Sequence, residues 1–115
     1  MAKCIRELNL ELGRPTADEA LRRLDAELTA AKQLHRPVLK LIHGYGSSGK
    51  GGKIRTACRR YLQQQAELGR VRALIPGEQF TIFEEKTRKA FAACPELRAD
   101  RDLDAENRGV TFVLL

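Results

Sequence analysis

The chain has no tryptophan, and aromatic residues make up only 5% of it. That scarcity argues against a surface built by stacking bases on aromatic rings, as single-strand binders and many RNA modules require. No apolar run approaches the length that spans a bilayer, and the opening Met1-Ala2-Lys3-Cys4-Ile5-Arg6-Glu7 lacks the apolar stretch of a secretory signal. A cytoplasmic protein with no membrane partner is the expectation. Cysteine is sparse as well: Cys4, Cys58 and Cys94 are odd in number, far apart and not in Cys-x-x-Cys spacing. They predict neither a disulfide framework nor a zinc site, and are expected to be small buried apolar residues.

What is present fits one globular domain spanning residues 1–115, with 43% hydrophobic and 31% charged residues. The net charge of +6 is unevenly spread: Lys50, Lys53, Arg55, Arg59, Arg60, Arg70 and Arg72 are opposed within that stretch only by Glu67. A local excess of this kind suits a polyanion, although a solvated helix face also carries spare Lys and Arg.

Periodicity divides the chain. Cys4 to Glu11 alternates as a strand, and Thr16-Ala17-Asp18-Glu19 then forms a capping box that opens a helix with Ala17, Leu21, Leu24, Leu28 and Ala31 at helical spacing. Pro37 stops it near His35-Arg36. Val38 to His43 reads as an interior strand, and a second helix follows the glycine-rich Gly44–Gly52, with Ile54, Ala57, Cys58, Tyr61 and Leu68 inward and Gly69 at its end. Val71 to Ile75 is a third strand, broken by Pro76-Gly77, and Val110 to Leu114 is a fourth. Between them, Glu84 to Cys94 is a helix and Arg98 to Arg108 is charged and irregular, so an insert of about 82–108 precedes the last strand.

The order β-α-β-α-β-(α)-β predicts an α/β fold, an α+β sandwich with a mixed four-stranded sheet, two crossover helices and an inserted helix. A parallel centre is expected, with ligands at the carboxyl ends of the strands. His43 and the glycines sit at one such end.

Strand, glycine-rich turn, helix is a recipe for holding an anion, because glycines let the backbone approach a phosphate while the helix start supplies unpaired amides and a positive dipole end. Gly44-Tyr45-Gly46-Ser47-Ser48-Gly49-Lys50 also satisfies the G-x-x-x-x-G-K part of a nucleotide-binding P-loop. Gly51 replaces the hydroxyl residue that ligates Mg²⁺ there, which makes a P-loop-like protein the weaker alternative.

Leu41-Ile42-His43-Gly44-Tyr45-Gly46, followed by Lys53-Ile54-Arg55, resembles the second signature of the small MutS-related (Smr) domain family: apolar strand, His-Gly-x-Gly, basic helix start. Asp18-Glu19-Ala20-Leu21 looks like that family's first helix start, and Gly109-Val110-Thr111-Phe112-Val113 like its closing strand. The resemblance implies a mixed four-stranded sheet and the binding or nicking of DNA or RNA, as in DNA repair. The first signature, Leu-Asp-x-His-Gly, would fall on Leu8-Asn9-Leu10-Glu11, with Leu12 and Gly13 after it, so the carboxylate and the imidazole are both replaced. Asn9 cannot titrate, so nucleic-acid binding is the principal reading and endonuclease activity a weakened addition.

The expected nucleic-acid contacts are His43, Gly44, Tyr45, Gly46, Ser47, Ser48, Gly49, Lys50, Lys53, Arg55 and Arg59. Cleavage would draw on His43 and, as a substitute base, Glu11, with a divalent metal as the cofactor a nuclease would add; otherwise no cofactor or metal ligand set is expected. The alternative from another class is a non-catalytic protein-interaction module that uses the insert around Phe83 and Phe91.

Overall fold

The computed structural model describes residues 4–44 and 51–115. Its elements run β1 (Ile5–Asn9), α1 (Ala17–Gln33), β2 (Val38–Ile42), α2 (Gly51–Glu67), β3 (Ala73–Pro76), α3 (Glu85–Ala93) and β4 (Val110–Leu114), with short 3₁₀ turns at Gly77–Gln79 and Pro95–Ala99. The four strands form one mixed sheet in the order β1-β2-β4-β3. β1 and β2 are parallel, with Ile5 opposite Val38, whereas β4 runs antiparallel to both β2 and β3. The expected parallel centre is therefore corrected. The last strand slots between β2 and β3, so the parallel pair lies at one side and the central pair is antiparallel.

The helix boundaries follow local chemistry. Thr16 accepts from the Glu19 amide at 3.2 Å to start α1, which is the first half of the expected capping box. Both long helices end in the same backbone motif. In α1 the His35 and Arg36 amides donate to Lys32 and Ala31, and in α2 the Gly69 and Arg70 amides donate to Ala66 and Gln65. The left-handed residue this motif requires is Gly69 at φ 77° in α2 and His35 at φ 54° in α1. Pro76 is tolerated because β3 is an edge strand whose outer side needs no donor.

Side chains alternate across the strands and give the sheet two different cores. On one face Leu39, Leu41 and Val113 pack against Ala20, Leu24 and Leu28 of α1 and Ile54, Cys58 and Leu62 of α2. On the other, Val38, Ile75, Phe112 and Leu114 are covered by Phe80, just after β3, and by Ala90, Phe91, Cys94 and Leu97 from the insert. The insert is thus a layer of the fold. Burial on both faces is why β2 and β4 read as nearly continuous apolar runs.

Two polar devices fasten that layer. Lys40, on the insert-facing side of β2, is 2% exposed and reaches Asp100 at 3.0 Å and Asp102 at 2.7 Å, with its ammonium 5.4 Å from the Phe112 ring centre. The tract expected to be merely charged and irregular supplies both carboxylates. The second device corrects the cysteine expectation: Cys4 and Cys94 form a disulfide with Cα atoms 5.7 Å apart, while Cys58 stays free and buried. Ninety residues of separation conceal the pairing, which exists because the insert returns α3 to the start of β1.

Candidate nucleic-acid interface

β1, β2 and β3 all end at one edge of the sheet, where β4 begins and α2 starts. β2 therefore delivers His43 and Gly44 to this edge, and α2 delivers Lys53, Arg55 and Arg59. The His43 and Gly44 amides both donate to the Gly109 carbonyl, at 2.9 and 3.1 Å, which binds the start of the glycine stretch to the approach into β4. Gly44 has φ 72°, and a Cβ there would lie 2.5 Å from the Glu11 carboxylate. The left-handed backbone is what favours glycine there, since the Glu11 side chain could swing away. The turn after β1 thus brings the Glu11 side chain against the start of the loop.

The His43 ring is fully buried and both of its nitrogens are engaged, Nδ1 with the Gly44 carbonyl at 2.7 Å and Nε2 with the Thr111 hydroxyl at 2.8 Å. A carbonyl can only accept, so Nδ1 carries the proton and donates to Gly44. Nε2 then accepts from the Thr111 O–H. The Thr111 oxygen in turn accepts from Arg59 Nε at 3.1 Å. Burial, aided by the positive charges of Arg59 and Arg55, lowers the His43 pKa to about 4 even though its bond to Gly44 favours the proton. The imidazole is neutral near pH 7, and its polar atoms are occupied within the protein.

Arg55 and Arg59 are tied as well. Glu78, in the turn after β3, receives two bonds from Arg59, at 2.7 and 2.9 Å, and one from Arg55 at 2.9 Å. Arg59 also donates to the Val110 carbonyl, and Arg55 to the Arg108 carbonyl, each at 3.2 Å. The Arg59 guanidinium is the main reason the Glu78 pKa falls to about 2, against the opposing effect of burial. Glu78 sits next to Gly77, where a Cβ would fall 2.0 Å from the Asn107 carbonyl oxygen. This close approach brings the carboxylate beneath α2. Arg55, Glu78, Glu106 and Arg108 line a groove of about 410 Å³ that opens from the cluster.

The sequence-predicted residues fare unequally. His43, Gly44, Arg55 and Arg59 come together at one edge, and Glu11 lies against Gly44. Lys53 is exposed on the first turn of α2. Tyr45, Gly46, Ser47, Ser48, Gly49 and Lys50 lie outside the described residues. Asn9 is the last residue of β1, its side-chain oxygen accepting from the Glu11 amide at 2.9 Å to start the turn that follows. Sequence reasoning missed Thr111, Glu78 and Arg108. Only Thr111 carried a signal, as the single hydroxyl within the apolar Val110–Leu114 strand.

Among the described residues no three His, Cys, Asp or Glu side chains come together in a way that would hold a metal ion, and no helix is long and apolar enough to cross a membrane. Of the insert residues considered for protein contact, Phe83 is 84% exposed, while Phe91 is 4% exposed and belongs to the core.

Comparison with known proteins agrees with this layout. The Smr domain family model matches residues 10–79. The crystal structure of the Smr domain of Thermus thermophilus MutS2 superposes with a TM-score of 0.57 at 27% identity, covering 96% of each chain. No curated protein matches the chain. The matched segment takes in the His43-Gly44 signature and more than half of the sequence, so the chain belongs to the Smr domain family.

Proposed function

We propose that this domain binds the phosphate backbone of nucleic acid at the edge where β1, β2 and β3 end. The observation that carries the reading is the convergence there of the α2 start with Lys53, Arg55 and Arg108, in a family generally linked to nucleic-acid binding and nicking. A helix start offers unpaired amides and a positive dipole end, and the cations add full charges. The sequence adds Lys50 one residue before the helix. Backbone contacts of this kind fix position without reading bases, so binding is not sequence-specific.

Binding without cutting is the form the side chains favour. The carboxylate and imidazole of the first family signature are replaced by Asn9 and Glu11. His43 would have to break its bonds to Gly44 and Thr111, and regain a proton near neutral pH, to act as an acid. Its role in this reading is to hold the loop: a neutral ring pins the Gly44 carbonyl while Thr111 and Arg59 buttress it from behind.

Filter binding with duplex and single-stranded DNA and RNA at 50 and 200 mM salt tests the proposal. Four cationic contacts on duplex DNA predict roughly a hundredfold loss of affinity between those concentrations. The double variant Lys53→Glu, Arg108→Glu should bind at least about tenfold more weakly at the lower salt. Weak, salt-insensitive retention of every form would overturn the reading. Nicking that disappears in His43→Ala would overturn its non-cutting part.

A further inference from the structure

The opposite edge of the sheet carries a cationic groove that the proposed function does not use. It has a volume of about 400 Å³ and is lined by Lys32, His35, Arg36, Arg70, Arg72 and Leu115, together with Pro37 and Gly69. These residues come from the ends of α1 and α2, the start of β2 and the approach to β3. No Asp or Glu side chain lines the groove. Arg36 already has a partner within the protein and is left out of the count. Lys32, Arg70 and Arg72 form no salt bridge with a described carboxylate; Arg70 donates only to the neutral Gln65, at 3.3 Å.

Basic residues at helix ends ordinarily serve to cap carbonyls or offset the dipole. That need is largely met here, because backbone amides already satisfy Ala31 and Lys32 in α1 and Gln65 and Ala66 in α2. Two helix ends present roughly half a negative charge each, and the main-chain carboxylate of Leu115, which also lines the groove, adds one more; three full cations exceed their sum. Arg72 in addition follows no helix end: it lies on the approach to β3, its amide donating to Leu114 at 2.7 Å. The contrast with the first edge is direct, since there Glu78 and Glu106 stand among the arginines.

We infer that this groove is a second phosphate-backbone site, so that one copy of the domain holds two nucleic-acid segments at once. The inference rests on the proposed function and extends it. Five-residue strands separate the two edges by about 17 Å, and the edges face opposite ways. Two cationic sites arranged so hold two segments, or the two arms of a folded one.

The test is bridging by the whole chain. An immobilised 30-base-pair duplex is loaded with the protein, washed, and offered a second fluorescent duplex at 50 mM salt, with DNA and RNA duplexes in separate arms. Mass in solution is measured alongside, so that bridging by a self-associated protein is recognised. The wild type as a monomer should retain the second duplex. Lys32→Glu, Arg72→Glu should still bind a single duplex within about threefold of wild type, yet lose at least nine-tenths of the bridging. The milder Lys32→Ala, Arg72→Ala should lose most of it, with an unchanged melting temperature. Duplex binding without bridging by the wild type overturns this inference alone, as does full bridging by the double variants or bridging only by a dimer. No duplex binding at all overturns the proposed function and this inference with it.

Discussion

The two faces of the sheet each bury one polar network, and the networks work on opposite principles. On the helix face, at the candidate interface, His43 is held neutral between Gly44 and Thr111, and two arginines share one carboxylate. On the insert face the charge balance is reversed, one lysine facing two aspartates, with a disulfide added nearby. The cores differ too: the helix face packs aliphatic side chains throughout, whereas the insert face adds aromatic contacts to its aliphatic ones, among them Phe80 against Phe112 at 4.1 Å. The lesson is that one sheet can use a polar network for opposite ends: to position a loop on one side and to fasten a layer on the other.

The largest effect should come from breaking the insert network. Lys40→Ala leaves two carboxylates facing each other at low exposure and should cost about 3–5 kcal/mol in denaturant unfolding. Lys40→Met, which removes the charge but keeps the stem against Phe112, should cost the same or slightly less, since the uncompensated aspartates remain. Restoring neutrality with Asp102→Asn in the Lys40→Met background should recover part of that loss; if it does not, the pairing is not what fastens the layer.

Reduction of Cys4–Cys94 comes next. A loop closed over 90 residues is worth about 4.6 kcal/mol at most by chain entropy, and disulfides typically supply about 2–4. Thermal melts with and without reductant should differ accordingly. Hydrogen exchange should rise in α3 while α1 and α2 keep their protection. Equal loss of protection on both faces would show that the layers do not separate.

Acid sharpens the contrast. The folded His43 pKa of about 4 lies below its unfolded value near 6.5, so the unfolded chain takes up the proton first. Its contribution is whole above about pH 6.5 and is lost progressively as pH falls toward 4, by about 3 kcal/mol at most. Asp102 behaves differently. Burial would raise its pKa, but the bonds from Lys40 and Asn107 prevail and lower it below 3.8. Its stabilisation is therefore intact down to about that pH and lost only below it. Unfolding followed from pH 8 to pH 3 should thus show the first loss in wild type and not in His43→Phe, although that variant is less stable throughout.

The smallest predicted effect concerns binding. Glu78→Gln removes the one carboxylate shared by Arg55 and Arg59 while leaving an acceptor in place. It should tighten duplex binding about two- to fivefold at 50 mM salt and steepen the salt dependence. Weaker binding would mean that Glu78 is needed to aim the two arginines.

Much of the fold was legible because periodicity is local. Thr16 with Glu19, Gly69 after α2 and the helical spacing of Leu24, Leu28 and Ala31 each act within a turn or two. The His43-Gly44 signature was equally legible, being contiguous. Illegible were the partners that the chain brings from afar: Glu78, separated from Arg59 by 19 residues, Thr111, 68 from His43, and Asp100, 60 from Lys40. Apart from Thr111, set in an apolar strand, no pattern along the chain distinguishes these residues from ordinary surface polar ones.

By itself, then, the sequence determined the order of strands and helices, the ends of the two long helices and the glycine turn at the start of the candidate interface, because propensity, capping and backbone sterics act between near neighbours. Only the tertiary structure decided that β4 lies at the centre of the sheet, that Cys4 meets Cys94, that His43 is neutral and occupied, and that two cationic edges face apart. Those outcomes depend on which distant groups share a low-dielectric space, and that is set by packing alone.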